Sequence, residues 1–163
     1  MNALLKELSI TDGQDIKDML KEIGPGENGF LNDAYNADFT DFLQKYISLS
    51  KGKNLEPNQV PITMYWLYID GKPVGYGKLR HYLNDQLMEI GGHIGYAIRP
   101  SERGKSYGKI VLKELLKEAK EKGIDQVLMT CLEKNIPSRK VIESNNGFLS
   151  RVSDGECYYW IKL

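Results

Sequence analysis

HIGYAIRPSERGKSYGKIVLKELLKEAKEKG, residues 93–123, decides how this chain is read. His93 to Ile98 has the β-branched and aromatic content of a strand and is closed by Pro100. From about Lys105 to Lys122 apolar residues recur at helical spacing, with Ile110, Leu112, Leu115, Leu116 and Ala119 facing inward and Gly123 as the C-terminal cap. Between strand and helix lies the loop Arg103-Gly104-Lys105-Ser106-Tyr107-Gly108. A helix start presents unpaired N–H groups and roughly half a positive charge, so a loop that enters a helix directly after a strand is a natural pyrophosphate cradle. Gly104 and Gly108 let backbone approach the anion, and Arg103, Lys105 and Lys109 add local charge.

Downstream, Gln126 to Leu132 reads as a buried strand, Pro137 to Asn145 as a short helix, and Phe148 to Val152 and Cys157 to Leu163 as two last strands. Upstream, Ile62 to Ile69 and Val74 to Leu83 flank the turn Asp70-Gly71-Lys72-Pro73 and form an antiparallel hairpin. Before it come a strand at residues 4–10 and a helix carrying Ile16, Met19, Leu20 and Ile23, capped by Thr11 or Asp12. A second helix, Asp38 to Leu49, has Phe39, Phe42, Leu43, Tyr46 and Ile47 on one stripe. The expected fold is α/β (α+β). One domain over residues 1–163 holds a mixed, mostly antiparallel sheet of six or seven strands with about four helices.

Composition narrows the partners. Lys plus Arg and Asp plus Glu number 22 each, so no broad attraction to nucleic acid or to an anionic membrane is expected, and an anion must be held locally. Cys131 and Cys157 are too few and too separated for a disulfide framework or a zinc cluster; they read as core thiols, and no metal is expected. Met1 to Ile10 has neither signal-peptide character nor the length to cross a bilayer, which points to the cytoplasm.

Two nucleotide motifs fail on spacing. A P-loop needs four residues between its glycines and Ser or Thr after its Lys, whereas Gly104 and Gly108 enclose three and Ile110 follows Lys109. A dinucleotide GxGxxG fingerprint is absent. IGYAIRPSERGKSYGKIVLKELLKEA (94–119) instead resembles the CoA-binding motif of the GNAT acetyltransferase superfamily, Arg/Gln-x-x-Gly-x-Gly/Ala at a helix start. Arg103, Ser106 and Gly108 take its three defined positions, with Ser106 where the family usually has glycine. A second stretch, MTCLEKNIPSRKVIESNNGF (129–148), resembles the family's strand followed by an Asn-x-x-Ser segment and a closing Gly-Phe.

The resemblance implies an N-acetyltransferase moving an acetyl group from acetyl-CoA to a primary amine of a small molecule or peptide, with a homodimer left open. It implies CoA contacts at Tyr96, Ala97, Ile98, Arg103, Gly104, Lys105, Ser106, Tyr107, Gly108, Lys109, Asn135 and Ser138. The family resemblance also implies that the ligand enters where two parallel central strands, His93 to Ile98 and Gln126 to Leu132, part. A non-catalytic acyl-CoA-binding module, or a nucleotide-binding domain using the same loop, is the alternative. The family's frequent acid, a tyrosine in the helix after the Asn-x-x-Ser segment, is replaced here by Ile142.

Attack by an amine requires a base for the ammonium proton. His93 has a suitable ordinary pKa, and Gly95 and Ala97 on its face leave room for a substrate; a histidine hydrogen-bonded at a strand start is the equal alternative. Glu89 is the second candidate, against the reading of a solvated carboxylate. The hairpin residues Tyr65, Trp66, Tyr68, Tyr76, Arg80 and His81 read as core or as acceptor-pocket wall. Asp33, Asp38 and Asp41 offer a negative face that would attract a cationic amine to the site, against the reading of caps or solubilising charge.

Overall fold

The computed structural model describes residues 1–163. In chain order the elements are β1 (Ala3–Glu7), α1 (Gln14–Ile23), β2 (Gly26–Glu27), β3 (Phe30–Leu31), α2 (Phe39–Ser50), β4 (Ile62–Ile69) and β5 (Lys72–Arg80). They continue with α3 (Asp85–Glu89), β6 (Ile94–Ile98), a 3₁₀ turn at Pro100–Glu102, α4 (Tyr107–Glu121), β7 (Gln126–Leu132), α5 (Ile136–Ser144), β8 (Phe148–Ser153) and β9 (Glu156–Lys162).

Seven strands form two antiparallel sheets, β1-β4-β5-β6 and β7-β9-β8, and β2 and β3 make a separate two-residue hairpin. The strand number and the predominance of antiparallel pairing agree with the sequence reading; the short β2–β3 hairpin and α3 were not foreseen. Two-residue strands and a five-residue helix are too short to leave a periodic signal.

Alternation on β4 explains why the first sheet is covered on both faces. Ile62, Met64 and Trp66 belong to a cluster with Ile16, Met19 and Leu20 of α1 and Phe42, Leu43 and Tyr46 of α2. Tyr65, Leu67 and Ile69 belong to a second cluster with Leu112, Leu115 and Ala119 of α4 and with β7 and β9. The α4 stripe is the expected one except that Val111 takes the fully buried place foreseen for Ile110, which is half-buried. Cys131 and Cys157 lie in this second cluster as free thiols.

Capping differs from expectation at α1. Its N-cap is Gly13 with no side-chain cap, because the Asp12 carboxylate instead accepts the Ser9 N–H at 2.8 Å and the Trp66 indole N–H at 2.7 Å. A buried indole needs an acceptor, and that need outweighs the cap. Asp38 does cap α2, accepting the Asp41 N–H at 3.0 Å. No helix is long and apolar enough to cross a membrane.

Candidate active site

The two main sheets meet at one joint. The His93 N–H donates to the Leu128 carbonyl at 2.8 Å, and the Leu128 N–H donates to Nδ1 of the His93 imidazole at 2.9 Å. Gly92 lies so close that a Cβ there would stand 2.3 Å from the Leu128 carbonyl oxygen. The segment before it is tied to the second sheet as well: the Gly91 N–H donates to Thr130 Oγ1 at 3.0 Å, and the Tyr158 hydroxyl donates to the Glu89 carbonyl at 2.6 Å. Beyond the joint β6 and β7 share no ladder, and the space between their facing edges is called the cleft below.

His93 is therefore part of the hinge of that cleft. Its ring is buried and one lone pair is occupied by the Leu128 N–H, which leaves Nε2 to carry the hydrogen of the neutral ring. Burial, and then the nearby Arg80 charge, push its pKa down to about 4. Of the two readings of His93, this geometry matches the hydrogen-bonded strand-start histidine. The room foreseen beside it is filled: a Cβ on Gly95 would meet the Phe30 ring at 3.1 Å, and Ala97 packs against the α1–α2 cluster. Phe30 comes from the short β2–β3 hairpin, so periodicity gave no notice of it.

The loop at the head of α4 has the geometry of an anion cradle. Gly104 has φ +79 and Ser106 φ +65, two left-handed residues two positions apart, the kind of turn in which neighbouring amides can converge on an anion. None of the N–H groups of Gly104, Lys105, Ser106, Tyr107 and Gly108 donates to an acceptor in the chain. Ser106 is the N-cap but its hydroxyl makes no cap bond. Tyr107 is half-buried against the α4 cluster, and Lys109 is exposed.

The cationic side chains of the loop are partly spoken for. Arg103 donates through Nε to the Ile98 carbonyl at 3.0 Å and pairs with Glu27 at 2.6 Å; Lys105 pairs with Glu102 at 2.7 Å, and Lys72 pairs with the same carboxylate. The backbone N–H groups of the loop are thus less committed than the side-chain charges that the sequence brings to notice. Gly108 serves a second purpose, since a Cβ there would stand 3.1 Å from Val141 Cγ2 of α5.

Across the cleft the Tyr96 hydroxyl and Ser138 Oγ lie 3.2 Å apart, joining β6 to α5. Burial raises the Tyr96 pKa to about 12, so the phenol keeps its proton at neutral pH. Asn135 Oδ1 accepts the Ser138 N–H at 3.3 Å as the N-cap of α5. Asn-x-x-Ser is here first a helix cap. Ile98 and Ile142 are buried in the α4 cluster, and Ile142 exposes no surface.

The sequence model of the Acetyltransferase (GNAT) family matches residues 28–148. The chain belongs to the GNAT acetyltransferase family. No curated protein matches it in sequence. Among solved structures, the RimL ribosomal L7/L12 α-N-protein acetyltransferase in complex with CoA superposes with a TM-score of 0.72 at 15% identity, covering 99% of this chain and 94% of that one. The PaiA N-acetyltransferase of Thermoplasma acidophilum in complex with CoA gives 0.66 at 18% identity over 100% of both chains. The PseH N-acetyltransferase of Campylobacter jejuni in complex with acetyl-CoA gives 0.65 at 15% identity over 99% of both. The fold is shared across the whole length.

On the other face of the first sheet this GNAT protein has a polar interior that its sequence did not announce. Lys78 of β5 is buried, donating to the Leu31 carbonyl at 2.9 Å and pairing with Asp33 at 3.3 Å. Asp33 also accepts from the Tyr46 hydroxyl and pairs with Lys45 at 3.4 Å. Burial alone would raise the Asp33 pKa, but Lys78 and these donors bring it below the ordinary value. Asp33 is thus an ion-pair hub rather than a cap. The signal available was alternation, since Lys78 and Arg80 share the face of buried Tyr76. Tyr65, Trp66 and Tyr76 are core, while Tyr68 is half-buried. His81 Nε2 lies 2.7 Å from Thr63 Oγ1.

Glu89 ends α3 with its carboxylate 71% exposed and 3.5 Å from Arg151. Its lone pairs are open to solvent, unlike those of His93.

Proposed function

We propose that this GNAT protein, a single domain over residues 1–163, transfers the acetyl group of acetyl-CoA to an amine of a small molecule or peptide in the cytoplasm. The observation that carries the reading is the run of five unpaired amides at residues 104–108, at the head of α4 and beside the cleft. Five donors aimed from a left-handed turn suit a pyrophosphate, and the two uncommitted walls, β6 and β7, suit an extended arm lying between them. Acetyl-CoA supplies the activated thioester; the chain has to hold it, accept the ammonium proton and return a proton to the departing thiolate.

With the His93 ring engaged, we assign proton acceptance to Glu89 through solvent, since the Tyr158 hydroxyl anchors its backbone at the joint. We assign proton donation to Tyr96, because its protonated hydroxyl joins β6 to Ser138 of α5, while the position of the family's usual tyrosine is occupied by the buried Ile142. Tyr96→Phe is expected to lower kcat roughly thirtyfold to a hundredfold with KM for acetyl-CoA nearly unchanged, and Glu89→Gln to lower kcat by roughly a hundredfold. Unchanged kcat in Tyr96→Phe would leave water as the donor.

The direct test is mass action. CoA at a hundredfold excess over its dissociation constant is expected to stabilise the protein by about 2–3 kcal/mol, and ATP with magnesium by none. No shift with millimolar CoA overturns the reading. A shift without turnover across a broad amine panel would favour an acyl-CoA-binding module instead, the reading to which the buried Ile142 lends support.

A further inference from the structure

A cavity of about 320 Å³ lies between α2, the 55–60 loop, α3 and the end of β5, on the face of the first sheet away from α4. Tyr46, Lys78 and Arg80 form its inner wall, and the one acidic residue on its lining, Glu56, is exposed. The two cations are differently placed. Lys78 is balanced by Asp33. Arg80 forms no ion pair: Nη1 donates to the carbonyls of Gly91 and Gly92 at 3.4 and 3.2 Å, while Nε and Nη2 donate to nothing in the chain. Nε and Nη2 are not among the buried polar atoms left without a partner, so they remain open to an incoming ligand, and the planar fork of the guanidinium suits an oxyanion.

The position of Arg80 ties this cavity to the cleft. Its backbone N–H donates to the His93 carbonyl at 2.8 Å, and Lys78 stands opposite Gly95 in the β5–β6 register. The cavity is therefore one strand away from the cleft, and its cationic wall ends at the Gly91–Gly92 joint. The overall charge of the chain is zero, so this positive end is a local construction and not a share of a basic surface.

The geometry points to an acceptor amine that carries an oxyanion, a carboxylate or a phosphate, seated on Arg80 with Lys78 beside it while the amine reaches the cleft. This rests on the acetyl-transfer reading above and names its substrate class. It separates the protein from one selecting polycations, for which a wall bearing Lys78 and Arg80 would be repulsive.

The experiment is a paired acceptor series with acetyl-CoA: ω-amino carboxylates of increasing length, O-phosphoethanolamine, and the neutral or cationic counterparts in which the oxyanion is an amide, a hydroxyl or an amine. The same compounds are also added to the CoA-bound protein in thermal-shift measurements. At least one oxyanion member is expected to exceed its counterpart by tenfold or more in kcat/KM or in binding. The carboxylate and phosphate arms decide which anion is meant. Arg80→Gln should abolish the preference of oxyanion over neutral acceptors and Arg80→Lys should weaken it. If Arg80 only braces the Gly91–Gly92 carbonyls, both variants lower all acceptors alike, and the proposal fails. It fails equally if polyamines or neutral amines are the better substrates, or if no oxyanion compound binds. A CoA shift that persists in those cases keeps the acetyltransferase reading standing, whereas its loss removes both.

Discussion

His93→Ala is expected to cost about 3 kcal/mol of folding stability, because it leaves the buried Leu128 N–H without an acceptor and opens a cavity at the joint. The pH dependence follows from the sign of its shift. The folded ring has a pKa of about 4 against an ordinary 6.5, so between these values the unfolded chain binds the proton that the folded one refuses. Wild-type stability is therefore complete above about pH 6.5 and is lost as pH falls toward 4, by roughly 2–3 kcal/mol from this residue. His93→Ala should flatten that fall. Urea denaturation at pH 7.5 and pH 5 measures both effects. If the variant is as stable as the wild type but loses a hundredfold in turnover, His93 is the base and Glu89 is not.

Gly104→Val should reduce CoA affinity by a hundredfold or more while the protein stays folded. A Cβ at Gly104 meets nothing within 4 Å, so the fold bears only the strain of a branched residue at φ +79, of order 1–3 kcal/mol, whereas the side chain would stand over the row of free amides. Gly108→Val is the contrasting case, since its Cβ would be 3.1 Å from Val141 Cγ2 and 3.7 Å from the Tyr96 ring, and it should lower the melting temperature before it affects the ligand. Ser106→Gly relaxes a left-handed serine and should be tolerated. Calorimetric titration beside thermal melts separates the two valine variants; normal CoA affinity in Gly104→Val would move the pyrophosphate elsewhere.

The elements with strong periodicity were legible. The α4 stripe, the β4–β5 hairpin and the order strand, loop, helix, strand around residues 94–132 all stand where alternation and helical spacing put them. Local backbone chemistry was legible too: Gly104 reads as a glycine in a tight turn, and Asp38 as a cap. The single-residue roles were less so. Gly108 looked like a phosphate residue and is also a packing residue, because what a missing side chain makes room for depends on α5, which arrives from 28 or more positions away. Asn135 and Ser138 looked like ligand contacts and also cap a helix.

By itself the sequence determined the longer strands and helices and the glycine-bearing turn ahead of α4, because periodicity, turn chemistry and glycine placement act over a few neighbouring residues. Only the tertiary structure decided what the chemistry-bearing side chains face. Whether His93 has a lone pair to offer depends on the Leu128 N–H; whether Gly95 leaves space depends on Phe30; whether Lys78 is paired depends on Asp33. Each of these turns on a residue distant in sequence, and protonation and hydrogen bonding respond to what lies within a few ångströms in space, which no local pattern records.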